Sequence, residues 1–184
     1  MRAGYNVRGI VRSELTADKV HRAFPEYEEE LSLVVVPDIL RTKAFGEAVQ
    51  GVTEAAAIEG TINILDSITR NAPQVRQVVH TSSFGATLDP SKGTWPGHVY
   101  TEADWNPMTY AEVVHEDTTV LAAYYAGKAG AERAAQDFMA TETPPFDLVT
   151  TCPPYVCGPI KRLTASLAHL NTPSMEIYRL MSPI

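Results

Sequence analysis

Cysteine is scarce in this chain: two in 184 residues, Cys152 and Cys157, on either side of Pro-Pro-Tyr-Val. The five histidines show no HxxxH spacing and the cysteines no CxxC, so neither a metal site nor a disulfide framework is expected, and a reducing cytosol fits best. Long apolar runs are lacking too. No stretch approaches the roughly 18 residues of a membrane span, and the opening MRAGYNVRG has no signal-peptide apolar core. Basic blocks are also missing. With 15 Lys and Arg against 22 Asp and Glu, the formal charge is −7, which argues against a nucleic-acid footprint. The acidic run Glu28-Glu29-Glu30 reads as a solvated helix face. What is present, 45% apolar and 20% charged residues, suits one soluble domain with a core of its own.

Apolar patterning alternates between strand and helix. Tyr5 to Val11 is β-rich, and Leu31 to Val36 is a continuous apolar run stopped by Pro37-Asp38, the pattern of a strand buried on both faces. Between them Thr16 to Tyr27 can form a short helix, and after them Leu40, Ala44, Phe45, Ala48 and Val49 recur at helical spacing. Glu54 to Asn71 reads as a helix with Ile58, Ile62 and Leu65 on one face, and Val75 to Thr81 as a strand leading into Ser82-Ser83. A loop rich in turn residues follows, with Asp89-Pro90, Lys92-Gly93 and Pro96-Gly97. Thr118 to Thr141 is the longest helix, Pro144-Pro145 ends it, and Phe146 to Thr151 is one more strand. Such alternation implies a parallel sheet with helices on its faces.

Within the long helix, "YYAGK" places Tyr124 four residues before Lys128, so both lie on one helix face. A phenol with pKa near 10 is a poor acid at neutral pH, and a nearby ammonium lowers that pKa by favouring phenolate. The spacing also suits ordinary packing of an aromatic and a basic residue. Tyr125 has no comparable partner and is read as a packing residue. In a doubly wound sheet ligands bind beyond the carboxyl ends of the strands, where Ser83, Pro153 and Val156 fall.

Taken with "VRQVVHTSS", "YNVRGIVRS", "GTINIL", "TEADWNP" and "FDLVTTCPPYVCGP", the chain resembles the extended short-chain dehydrogenases/reductases over nearly its whole length. It is similar to the branch of dihydroflavonol, cinnamoyl-CoA and yeast-type carbonyl or methylglyoxal reductases. The resemblance implies a Rossmann-type α/β fold and NADP-dependent reduction of a small-molecule carbonyl. It implies that Ser83 holds the carbonyl oxygen, that Tyr124 protonates it, and that Lys128 lowers the tyrosine pKa and binds the nicotinamide ribose. Arg12, with Lys19 beside it, would meet the adenosine 2′-phosphate. Asp38 and Ile39 match an Asp-aliphatic pair that touches adenine, Pro153, Pro154 and Val156 border the nicotinamide amide, and Ser166 is a later contact. A serine often precedes the lysine in the family, where this chain has Gly127. By themselves, Ser83 is equally a turn-forming serine, Arg12 and Lys19 a solvated basic pair, and Asp38 a helix cap. A nucleotide-sugar epimerase or dehydratase on the same scaffold is a further alternative.

Several family features have no counterpart here. No strand and GxxGxxG turn, whose backbone N–H groups hold the cofactor pyrophosphate, precedes "YNVRGIVRS". At "QGVTEAAAIEGT" a strand and loop are skipped, and most of the substrate domain would follow Ile184. Residues 1–160 are expected to form a partial nucleotide-binding domain and 161–184 the start of a truncated substrate region. In the sheet order 3-2-1-4-5-6 the first and fourth strands are central neighbours. Without them the flanking pairs stand roughly 14 Å apart or must close up and pair directly. An incomplete gene record accounts for all three gaps. The alternative is a non-catalytic remnant.

Overall fold

A computed structural model describes residues 6–37, 54–113, 119–158, 166–167 and 170–182. In chain order the elements are β1 (Val7–Val11), α1 (Glu14–Ala23), β2 (Leu31–Val35), α2 (Glu54–Asn71), β3 (Gln77–Thr81), α3 (Tyr110–Val113), α4 (Val120–Glu142), β4 (Asp147–Thr151) and α5 (Thr172–Met181). The chain divides into two compact units, one of Met1–Pro37 with Tyr155–Ile184 and one of Asp38–Pro154.

The first unit holds a parallel pair, with Val7 opposite Leu31 and Val11 opposite Val35. Ser13 is extended and starts α1 by accepting the Thr16 N–H on its hydroxyl at 3.2 Å. Glu14 in the first turn and His21 and Arg22 in the last suit the helix dipole. Pro25 stops the helix at Ala23 by excluding the helical conformation from Phe24, and a 3-10 turn, Pro25–Tyr27, follows. The predicted helix end is therefore corrected, and Glu28 to Glu30 form a turn leading to β2. Gly9 is required by close packing, since a Cβ there would stand 2.9 Å from Leu33 Cδ2. Val11 and Leu31 are buried on one face, with Ala17 of α1 and, just past β2, Val36 also buried, whereas Ile10 and Val34 on the other face are exposed. The expectation that this strand is buried on both faces fails because, among the described residues, only one face of the pair is covered. An unanticipated helix, α5, starts at Asn171, whose side chain accepts the Ser174 N–H at 3.1 Å, with Pro173 in the first turn.

The second unit holds the other parallel pair, with Gln77 opposite Asp147 and Thr81 opposite Thr151. Helices α2 and α4 pack over one face, where Leu65, Ala135, Phe138 and Phe146 form a core supported by Ile68, Val75, Val78, Met139 and Leu148. Leu65 is central to it, whereas Ile62 is exposed. Thr119 caps α4 by accepting the Ala122 N–H at 3.2 Å, and the helix ends at Thr143, left-handed at φ 42°, before Pro144. Val79 and Val149 on the opposite face of the sheet are exposed. Among the described residues the strands thus form two separate two-stranded sheets, β1-β2 and β3-β4. This is the division expected when two central strands are missing. The helix expected over residues 40–49 lies outside the described residues.

Candidate active site

The turn after β3 is built around Ser83. The Ser82 N–H donates to Thr151 O at 2.8 Å, carrying the ladder one residue past the strand. Ser83 then leaves the sheet as the extended cap of a 3-10 turn, Phe84–Ala86, with its hydroxyl accepting the Gly85 N–H at 3.1 Å. A hydroxyl that accepts in this way keeps its own proton to donate. The Phe84 N–H donates to Pro153 O at 3.1 Å, so the serine turn and the segment after β4 are fastened together. Gly85 lies under the Tyr125 ring, where a Cβ would stand 2.3 Å from Cδ1, and Tyr125 thereby packs the turn against α4.

Tyr124 and Lys128 occupy the second and third turns of α4. Tyr124 is 48% exposed, which leaves its ring half open to solvent. Lys128 Nζ lies 6.0 Å from the Tyr124 ring centroid and donates to Thr81 O at 3.5 Å. The lysine therefore spans from the tyrosine to the strand end that carries the serine pair. Ser83, Tyr124 and Lys128 all fall within one unit, with the serine turn packed against the helix that bears the other two.

One turn further along α4, Glu132 is buried, and its carboxylate accepts the Cys152 thiol at 3.5 Å. Burial pushes the Cys152 thiol above its ordinary value, Glu132 adds to this, and the Ser82 hydroxyl and Ser83 amide pull weakly the other way. Cys152 is thus a protonated partner of the carboxylate and a poor nucleophile. Burial lowers the pKa of half-buried His80, with Glu132 opposing and Lys128 reinforcing that shift. A cleft of about 760 Å³ opens on this side, bordered by Phe84, Tyr100, Trp105, Glu132, Thr150 and Cys152. Ser83, Tyr124 and Lys128 do not line it. The phenol, the ammonium and the serine hydroxyl thus lie outside this cleft.

Two residues of this assembly were not singled out from sequence. Glu132 continues the four-residue spacing of Tyr124 and Lys128, a signal that was available. Asn106, inside "TEADWNP", is fully buried, and its side chain donates to Gly85 O at 2.9 Å. Nothing in its local pattern marks that partner.

The remaining candidates are distributed between the units. Arg12 follows β1 directly, exposed beside the Ser13 cap, and Lys19 is exposed on α1, both in the first unit. Pro153 and Pro154 close the second unit, whereas the exposed Val156 and Ser166 belong to the first. Asp38 and Ile39 lie outside the described residues. Among the described residues no three His, Cys, Asp or Glu side chains are grouped to hold a metal, and no helix is long and apolar enough to cross a membrane.

No family model matches the chain. It is 32% identical to an oxidoreductase of Schizosaccharomyces pombe over 206 residues, taking in 98% of this chain and 60% of that protein. It is 35% identical to a ketoreductase of Aspergillus niger, over 92% of this chain and 55% of that protein. The crystal structure of a yeast methylglyoxal/isovaleraldehyde reductase complexed with NADPH matches 98% of this chain with a TM-score of 0.79 and 28% identity, covering 59% of that chain. The chain therefore spans about 60% of the length of such relatives. The alignment of 206 residues is longer than the 184-residue chain, so the S. pombe protein carries residues between the matched segments that have no counterpart here. The architecture is that of a Rossmann-fold reductase, present in part.

Proposed function

We propose that this chain, a homologue of the yeast-type methylglyoxal and keto-reductases of the extended short-chain dehydrogenase/reductase family, carries the proton-transfer site of an NADP-dependent reductase that turns an aldehyde or ketone into an alcohol. The observation that carries this reading is Lys128, set over Tyr124 and tied to Thr81 immediately before Ser82-Ser83.

Ser83, its acceptor side occupied by the Gly85 N–H, offers its hydroxyl proton to the substrate carbonyl oxygen. That bond polarises the carbonyl and fixes its orientation. Tyr124 gives its phenolic proton to the same oxygen as charge develops there. The Lys128 ammonium, 6.0 Å from the ring centroid, is the cation placed to stabilise the phenolate left behind. NADPH, when bound, supplies the hydride that arrives at the carbonyl carbon.

In this reading the chain supplies contacts to both ends of that cofactor but not to its pyrophosphate. Arg12 is exposed at the carboxyl end of a parallel strand, beside the Ser13-capped start of α1, a position suited to the 2′-phosphate, with Lys19 contributing from α1. Lys128 would hold the nicotinamide ribose, Pro153, Pro154 and Val156 would border the nicotinamide amide, and Ser166 would add a later contact. Asp38 and Ile39 would meet adenine. Residues 1–160 would form the nucleotide-binding part and 161–184 the start of the substrate region. The sequence holds no GxxGxxG turn, so the described residues do not provide the usual backbone cradle for the pyrophosphate.

A second reading, a remnant that does not turn over by itself, is favoured by the separation of β1-β2 from β3-β4. One titration distinguishes the two readings. NADPH is added to the 184-residue protein and to a chimera that inserts the segments carried by the S. pombe relative. Weak binding to the first and saturable binding with carbonyl reduction by the second are expected. Saturation of the 184-residue chain at low micromolar NADPH would mean that its phosphate site is made of other residues. A chimera that binds NADPH and reduces no carbonyl would remove the reductase assignment.

A further inference from the structure

Asn106 has no exposed surface, and both its backbone and its side chain are engaged. Its N–H donates to Ala86 O at 2.7 Å, and its side-chain amide donates to Gly85 O at 2.9 Å. Its side-chain oxygen accepts the Met108 N–H at 2.9 Å, and its own carbonyl accepts Arg133 Nη2 at 3.1 Å. Arg133 lies on α4 five positions beyond Lys128, with its guanidinium 5.1 Å from the Trp105 ring centroid.

The side-chain amide bond meets the Ser83 cap on one residue, Gly85. The N–H of Gly85 is held by the Ser83 hydroxyl and its carbonyl by the Asn106 amide. The Tyr125 ring closes over the same glycine. The serine turn is therefore clamped from three directions, and the polar clamp is anchored through Arg133 to the helix that bears Tyr124 and Lys128.

We infer that Asn106 is a positioning residue for Ser83: by holding the carbonyl of Gly85, the residue whose N–H Ser83 caps, it fixes the direction of the serine hydroxyl relative to α4. The inference deepens the reductase reading and depends on it for its catalytic meaning. Its structural content stands independently. Asparagine is suited to the position because one side chain both donates to Gly85 O and accepts from Met108 N–H. Aspartate would keep the acceptor, lose the donor and set a carboxylate against a buried carbonyl.

The test is amide hydrogen exchange by mass spectrometry on the 184-residue chain. Asn106→Asp should raise exchange over residues 83–88 about tenfold or more and leave the strand segments 77–81 and 147–151 unchanged. Should that substitution loosen the whole unit, Arg133→Met decides, because Arg133 is exposed and its loss frees the Asn106 carbonyl and one face of the Trp105 ring while keeping every bond of the Asn106 side chain. Several-fold faster exchange confined to 83–88 is expected, and exchange equal to that of the parent overturns the inference. In a chimera that reduces carbonyls, Asn106→Asp should lower kcat about tenfold or more, leave KM for NADPH unchanged, and add nothing to Ser83→Ala. Fully additive losses would show that Asn106 acts elsewhere. If no chimera reduces a carbonyl, the reductase reading fails while the exchange result still decides the role of Asn106.

Discussion

The Lys128 ammonium donates to the carbonyl oxygen of Thr81 at 3.5 Å, joining a side chain of α4 to the last residue of β3 across 47 positions of sequence. Through this contact the helix bearing Tyr124 and the strand leading to Ser83 meet at one edge.

Gly85 gives a prediction about packing alone. Its missing Cβ makes room for the Tyr125 ring, which a methyl group would meet at 2.3 Å. Gly85→Ala should destabilise the chain by about 1 to 3 kcal/mol, the range for overpacking. Tyr125→Leu in the same background should recover part of the loss. Urea midpoints of the two variants test this, and an unchanged midpoint in Gly85→Ala would contradict the stated contact.

Two partly buried groups set opposite limits on pH stability. The Cys152 pKa is raised above its ordinary 9.0 by burial and by Glu132. As pH rises through that value the unfolded chain loses the proton first, the native state holds more protons, and stability falls. The His80 pKa is lowered from 6.5 by burial, with Lys128 reinforcing the shift and Glu132 opposing it. Below 6.5 the unfolded chain takes up a proton that the native state resists, so stability falls as pH falls. Cys152→Ser should flatten the alkaline limb above pH 9.0, and His80→Gln should flatten the limb below 6.5. Unaltered slopes in denaturant titrations of the two variants would remove these assignments.

In the proposed reading cofactor choice rests on Arg12. A guanidinium makes paired, charge-assisted bonds to a phosphate, each worth about 1.5 to 3 kcal/mol. Arg12→Ala in the active chimera should therefore weaken NADPH by about tenfold or more and leave NADH nearly unchanged. Lys19→Ala should have a smaller effect of the same sign, because an exposed ammonium is more screened. Ratios of kcat/KM for the two cofactors provide the measurement. Equal losses for both would assign Arg12 to the fold.

The strands were the most legible elements, each lying within two residues of its expected bounds. The helix Glu54–Asn71 has its expected bounds, although Ile62 of its expected apolar face is exposed, and the long helix was placed within a few residues because Pro144 ends it. Glu28 to Glu30 were assigned to a helix because acidic residues favour its solvated face, but Pro25 had already turned the chain. Burial of β2 on both faces could not be read locally, since it depends on what the rest of the fold lays across the strand. Tyr124 and Lys128 were legible because four-residue spacing is intrinsic to a helix. Asn106 was not, because its partners Gly85 and Arg133 stand 21 and 27 positions away and are brought to it by tertiary packing.

The central claim is that Tyr124, and not its neighbour Tyr125, delivers the proton. The measurement is carbonyl-dependent NADPH oxidation by the chimera carrying Tyr124→Phe or Tyr125→Phe. Tyr124→Phe keeps the ring and removes the acid, so turnover should fall by about two to four orders of magnitude. Tyr125→Phe keeps the ring that packs on Gly85 and should stay near the parent rate. A greater loss from Tyr125→Phe than from Tyr124→Phe would contradict the account.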